Sequence, residues 1–185
     1  MFHRHTTHKD TMFGYSRIIT THQHAEKMLP IDKIRSILHM NPSVRDMTIS
    51  HYRQLAIWWT QDRLGKTLLK ATRETKRYNN QFLLPYGPVI EVTKVTYGKE
   101  CLTKDRYELE THSDSVVISV PFSWKDKALV VEYTAGYATE EEVPGPLKNA
   151  VLSVIEYVAN HDGKIGGIED SIEPWVSAHK TYRLF

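Results

Sequence analysis

The stretch Ala128–Tyr157, ALVVEYTAGYATEEEVPGPLKNAVLSVIEY, constrains the fold more than any other part of the chain. It reads, in order, as a strand, a glycine break, an acidic loop, a proline stop and an amphipathic helix. Leu129, Val130, Val131, Glu132, Tyr133 and Thr134 are rich in β-branched and aromatic side chains, which suit a pleated, half-buried surface. Gly136 interrupts that run, as expected where the backbone needs positive φ. Glu140, Glu141 and Glu142 follow, just ahead of Val143-Pro144-Gly145-Pro146. Proline is tolerated in the first turn of a helix, so a helix is expected to start near Pro144 or Pro146, with the carboxylates favouring the positive end of its dipole. Leu147, Ala150, Val151, Val154, Ile155 and Val158 fall at i, i+3, i+4, i+7, i+8 and i+11, one apolar stripe of a 3.6-residue period. No residue of this stretch is suited to chemistry. It reads as a structural part that assembles with copies of itself.

At 185 residues, 41% of them hydrophobic, the chain suits one domain, or one domain with an arm. Mean hydropathy is −0.44, and no apolar run approaches about 18 residues, so no membrane span is expected. The start, MFHRHTTHKD, lacks the apolar core of a signal peptide. A single cysteine, Cys101, forms no internal disulfide and fits folding in a reducing compartment.

Net charge is only +2, but it is unevenly placed. Arg45–Arg77 holds Arg45, Arg53, Arg63, Lys66, Lys70, Arg73, Lys76 and Arg77 against Asp46, Asp62 and Glu74. Glu132–Trp175 holds nine acids, among them Glu140, Glu141 and Glu142, against Lys148 and Lys164. Two readings are open: both are solvated faces, or the basic face of one copy meets the acidic face of the next. On the second reading Arg53, Arg63, Lys66, Glu140, Glu141 and Glu142 are the candidate contacts.

Residues 1–28 are polar, carry His3, His5, His8, His22 and His24, and show no sustained period. They read as an extended arm, ordered only against a partner. Pro30 introduces a short helix over 30–40 with Ile31, Ile34, Ile37 and Leu38 on one face. Ser43 is the expected cap of a second helix, 43–64, with Met47, Tyr52, Leu55, Ala56 and Trp59 inward and Gly65 as its left-handed stop. A β region is expected over 68–134. Leu68–Thr75 reads as a strand, with helical continuation past Gly65 the alternative, and Lys76–Gln81 as a polar connection. Val89–Tyr97, Tyr107–Glu110 and Val116–Val120 are further strands, and Leu129–Thr134 closes the sheet. The third helix spans 146–160, His161–Gly167 is a loop, and Trp175–Phe185 an aromatic, basic tail.

Chemistry finds little support. His3-x-His5 and His22-x-His24 lack the second shell of good metal sites, and no CxxC is present. Cys101 reads as a loop thiol with no histidine beside it. No GxSxG elbow occurs, and GKIGG at 163–167 is not a phosphate-binding loop. Trp58 and Trp59 lie near Arg53 and Arg63, a pattern that could stack on bases. Trp59, however, falls on the apolar stripe, and a pI of 8.5 is below the value of about 9 expected of a dedicated nucleic-acid domain.

The order of motifs resembles the head–tail connector (adaptor, or head-completion) proteins of tailed bacteriophages. The matching residues are Arg63-Leu64-Gly65-Lys66, LPYGPVIEVTKVTYG at Leu84–Gly98, VVEYTAGY at Val130–Tyr137, VPGPLKNAVLSVIEY at Val143–Tyr157 and the terminal Tyr182-Arg183, spread over about Pro30 to Phe185. The resemblance implies an α+β, mainly α fold: a small helical bundle with a β-sheet insertion between the second helix and the third, an extended N-terminal arm (1–28), a connector domain (29–174) and a C-terminal tail (175–185). It implies a ring of about twelve copies beneath the portal, closed by rotational symmetry, that extends the DNA channel in the virion neck after assembly in the host cytoplasm. The portal protein and a tail-terminator or stopper are the implied partners, DNA only passes through, and no membrane, cofactor or catalytic residue is implied. Trp175, Tyr182, Arg183, Leu184 and Phe185 correspond to the portal-docking segment. The long histidine-rich arm and the glycine-rich, acidic loop 161–173 depart from the family pattern. A tail-terminator or neck protein of the same particle is the alternative, and a DNA-binding regulator the alternative of another class.

Overall fold

A computed structural model describes residues 14–21, 28–113, 115–121, 127–168 and Trp175. Three helices, α1 (Ile31–Ile37), α2 (Asp46–Leu64) and α3 (Gly145–Asn160), flank eight strands. These are β1 (Tyr15–Thr21), β2 (Ala71–Arg77), β3 (Gln81–Leu83), β4 (Val89–Tyr97), β5 (Glu100–Cys101), β6 (Glu108–His112), β7 (Ser115–Ser119) and β8 (Leu129–Ala135). Helix and strand take equal shares, 33% each. The fold is therefore mixed α+β, and the expectation of a mainly α chain is corrected: the β region carries as much regular structure as the helices.

The helices share one core. All six stripe residues of α3 are fully buried. They meet Ile49, Ala56, Ile57 and Leu64 of α2, Ile34 of α1, and Met28, Leu29, Leu68 and Val143. α2 is turned relative to the expected face. Its buried positions are Ile49, Arg53, Ala56, Ile57, Thr60, Gln61 and Leu64, whereas Met47 is 76% exposed and Tyr52, Leu55 and Trp59 pack at the margin. Ser43 does not cap α2. The cap position is Arg45, with no side-chain cap bond; instead Arg35 of α1 donates to Val44 O at 2.9 Å and to Asp46 Oδ1 at 2.7 Å. The start of α2 is thus fixed by α1 rather than by a local hydroxyl. Gly65 ends α2 at φ 63.

The strands form two antiparallel sheets, ordered β1-β2-β8-β4-β5 and β3-β7-β6. β8 lies at the centre of the larger sheet instead of closing it. Its alternate residues Leu129, Val131, Tyr133 and Ala135 join Val95 and Tyr97 of β4 and Val116 and Ile118 of β7 in a second core. The arm is also corrected: Tyr15–Thr21 pairs antiparallel with β2, so this part of it is ordered within the chain. Lys76–Gln81 is not wholly a connection, because Gln81 opens β3. Leu68 and Leu69 do not start β2; they belong to the helical core. On the outer face of the larger sheet, Glu74 and Glu132 sit directly opposite each other, an unfavourable pairing in isolation. Arg17 lies 2.7 Å from Glu74 and Lys94 lies 3.4 Å from Glu132, so the two acids are flanked by cations in a row across four strands.

Residues Leu84–Pro88 join these layers. Leu84 N donates to Val116 O at 2.8 Å, Thr67 N to Gly87 O at 2.9 Å and Gly136 N to Pro88 O at 2.9 Å. Thr67 Oγ1 donates to Tyr86 O and accepts from Arg73 Nε, at 2.6 and 2.7 Å, and the Arg73 guanidinium lies 4.0 Å from the Tyr86 ring centre. Tyr133, fully buried, donates its hydroxyl to Pro85 O at 2.5 Å. Burial raises the Tyr133 phenol above its ordinary value of 10.0. A raised pKa means stability is complete below about pH 10 and falls as pH rises above it, because unfolding lets the phenol ionise. Tyr133→Phe is expected to lower stability by about 1–2 kcal/mol at neutral pH and to flatten alkaline unfolding. Urea melts at pH 7 and above pH 10 check both; an unchanged midpoint at pH 7 would count against the hydroxyl's role.

Candidate assembly surfaces

Helices present residues three and four apart on one face. On α2 the positions Met47, His51, Gln54 and Trp58 therefore form a solvent-facing stripe, and all four are exposed. Met47 is 76% and Trp58 57% exposed, large apolar groups left in water while the opposite side of the same helix is buried. Singly exposed apolar residues are ordinary, but Met47 and Trp58 share one helical face, about three turns apart with His51 and Gln54 between them, and that face is a candidate contact surface. The sequence carried a signal for it. Trp58 and Trp59 are adjacent, and neighbours on a helix point about 100° apart, so both cannot face one core.

The sequence candidates separate into buried and exposed groups. Arg53 is 2% and Lys66 5% exposed, and Arg53 donates to Leu29 O at 3.0 Å and Ser50 Oγ at 3.1 Å. Both belong to the protomer interior, which corrects their reading as surface contacts. Arg73 is buried as well, so Arg45–Arg77 is not one basic face. Arg63 remains exposed. Glu140 pairs with Lys33 at 2.6 Å, tying the acidic loop to α1, and Glu142 Oε2 accepts from Ala138 N at 2.9 Å. Glu141 is fully exposed; its own backbone amide, then the Thr139 hydroxyl, hold its carboxyl below the usual range. Trp175 is 40% exposed. Tyr182, Arg183, Leu184 and Phe185 lie outside the described residues, as do His3, His5, His8, His22 and His24.

Between β4 and the smaller sheet runs a groove of about 420 Å³ lined mainly by Val89, Ile90, Val92, Tyr107, Leu109 and Val116. Glu91 and Lys104 are its charged lining residues. That lining offers apolar contact rather than a converging acid, base and nucleophile. Cys101 is exposed on β5. Among the described residues no group of three or more His, Cys, Asp or Glu is placed to hold a metal ion, and no helix is long and apolar enough to cross a membrane.

No protein-family model matches the chain, and neither does any curated protein. Solved structures do. A chain of the neck of the empty gene transfer agent (GTA) particle, computed with C6 symmetry, superposes with a TM-score of 0.71 at 18% identity, covering 92% of this chain and 97% of that one. A chain of the virion of the native GTA particle matches with the same values. A chain of the native GTA neck, computed with C12 symmetry, gives 0.65 at 20% identity, over 91% and 97%.

The chain shares its fold with chains of the GTA particle neck. The likeness runs almost end to end in both chains, so helices and β insertion match as one unit. The matched chains are structural components of particle necks and virions. At this identity the likeness is one of backbone, and the surfaces described above are features of this chain's own residues.

Proposed function

We propose that this chain is a structural component of a phage-like particle, located in the neck, where copies of it form a ring between portal and tail. The supporting observation is the near-complete superposition on GTA neck chains, 92% of one and 97% of the other. Those necks were computed with C6 and C12 symmetry. A cyclic ring is built from heterologous contacts, in which one surface of a protomer meets a different surface of the next. The α2 stripe around Met47 and Trp58 supplies an apolar surface of the right kind, with the occupant a second copy. Arg63, Glu141 and Glu142 are exposed elsewhere on the protomer and supply charge for such contacts. In this reading residues 29–174 form the connector body, 1–28 an arm, and 175–185 the segment that docks on the portal protein. About twelve copies would extend the DNA channel, after assembly in the host cytoplasm.

Negative-stain imaging of the purified chain with and without portal protein tests this. Rings seated on the portal are expected from the full chain. A chain lacking 175–185 is expected to stay folded, as circular dichroism can check, and to lose portal capture in a pull-down. Capture equal to the full chain would overturn the docking role, and absence of rings under both conditions would overturn the ring.

A further inference from the structure

The strand register gathers cations at one end of the larger sheet. β2 ends at Lys76 and Arg77, paired with Val130 and Leu129 at the start of β8. β4 ends beside them, with Tyr97 also paired to Leu129. Gly98 N donates to Ala128 O at 3.1 Å, and a Cβ on Gly98 would stand 3.0 Å from Lys127 Cδ, so the Lys127 stem lies against the β4–β5 turn that carries Lys99. Lys76, Arg77, Lys99 and Lys127 therefore share one rim. It is the rim away from the helices: the opposite end of the sheet, at Ala71 and Ala135, adjoins the Leu69–Tyr137 bridge and the helical core.

One exposed tyrosine, Tyr78, stands among these cations, and a buried one, Tyr97, lies beneath them. Lys76 Nζ lies 5.4 Å from the ring centre of Tyr78, which is 39% exposed, and Lys127 Nζ lies 5.5 Å from that of Tyr97. Lys99 and Lys127 are exposed, Lys76 and Arg77 half-buried. Glu100, beside Lys99 at this rim, is paired with Arg106. Glu74 and Glu132 sit further down the sheet and have their own cations.

We infer that this rim binds the phosphodiester backbone of duplex nucleic acid. From β2 through β8 to β4 is two inter-strand spacings, about 10 Å, a length over which a duplex presents about six phosphate charges. A short row of cations with one exposed aromatic side chain among them fits such a polyanion and reads no sequence, since phosphate contacts position without specifying. An acidic protein surface is the competing partner. The exposed Tyr78 favours nucleic acid, because its ring can lie against sugar or base while the ammonium groups meet phosphate. The inference goes beyond the neck reading, which requires no DNA contact from this protein, and it stands on the placement of these cations and of Tyr78.

Fluorescence anisotropy with the full chain and a labelled mixed-sequence duplex of about 20 base pairs tests it. Binding is expected at low salt, weakening steeply as salt rises. Lys99→Glu/Lys127→Glu is expected to weaken binding about tenfold or more and to flatten the log–log salt slope by about 2. Arg45→Glu/Lys164→Glu, the same change in net charge on exposed residues at the helical end, is expected to bind within about twofold of the parent at about 0.15 M salt, where the Debye length is about 8 Å. Circular dichroism confirms that both variants fold. The inference is overturned if the parent chain does not bind duplex at low salt, if the rim variant binds like the parent, or if a polyglutamate peptide of matched charge displaces the duplex stoichiometrically. The last result would assign the rim to an acidic protein partner. Ring formation is a separate measurement, so either reading can fail without the other.

Discussion

Gly136→Ala is expected to destabilise the fold by about 3 kcal/mol. Gly136 sits at φ +106, where side chains are rarely tolerated, and a Cβ there would meet Leu69 O at 2.7 Å and Lys70 Cα at 2.9 Å. These are backbone atoms, so no rotamer change relieves the contact. Neither side can retreat easily: Leu69 bridges Tyr137, and Gly136 N is bonded to Pro88 O. Forcing a residue into such a backbone region costs about 1–3 kcal/mol, and the clash adds to it. Gly145→Ala is the control. A Cβ there meets nothing within 4 Å and the position opens α3, so a change within about 0.5 kcal/mol is expected. Urea unfolding followed by far-UV circular dichroism reads both, as a lower midpoint at unchanged slope. A loss below about 1 kcal/mol at Gly136 would mean that the strand-to-helix joint yields, and that β8 and α3 are less rigidly coupled than their shared turn implies.

That joint was legible because every part of it obeys one period. β8 shows strict alternation and α3 a single stripe, so the six α3 core residues expected from spacing are the six found buried. α2 was harder to read because it uses polar residues inside. Arg53 holds the Leu29 carbonyl. Gln61 Oε1 accepts from Leu68 N at 2.8 Å, tying down the chain after the helix. With polar groups buried and Met47 and Trp58 outside, no single apolar stripe exists, and the expected inward face came out rotated. The same burial removed Arg53 and Lys66 from the candidate contacts. β1 was missed for the opposite reason. All but Ser16 of its residues are exposed, so its sequence does not alternate, and its place depends on a long-range pairing with β2 that local pattern does not encode. The basic rim is invisible in sequence as well: Lys76, Lys99 and Lys127 come from three segments that only the sheet register brings to one end.

Trp58→Glu is expected to abolish self-association while leaving the protomer folded. The side chain is 57% exposed, so replacing it changes stability by no more than about 0.5 kcal/mol. At an interface the same change acts twice, removing a large aromatic contact and placing a carboxylate where water is excluded; hot-spot tryptophans contribute about 2 kcal/mol or more. In a closed ring the loss recurs at every contact, so a modest term per interface becomes one of order 10 kcal/mol for the ring. Met47→Glu, on the same stripe, is expected to act in the same direction. Sedimentation of the chain with portal protein reads the effect. Raising salt from about 0.05 to about 0.5 M is expected to weaken the parent ring several-fold if Arg63 meets Glu141 or Glu142 across the contact, whereas the Trp58→Glu chain is expected to stay monomeric at every salt. Salt-independent assembly would leave the apolar stripe as the interface and remove the charges from it. Rings formed by Trp58→Glu at the parent's concentration would remove the stripe instead and turn attention to the apolar groove beside β4 as the surface between copies.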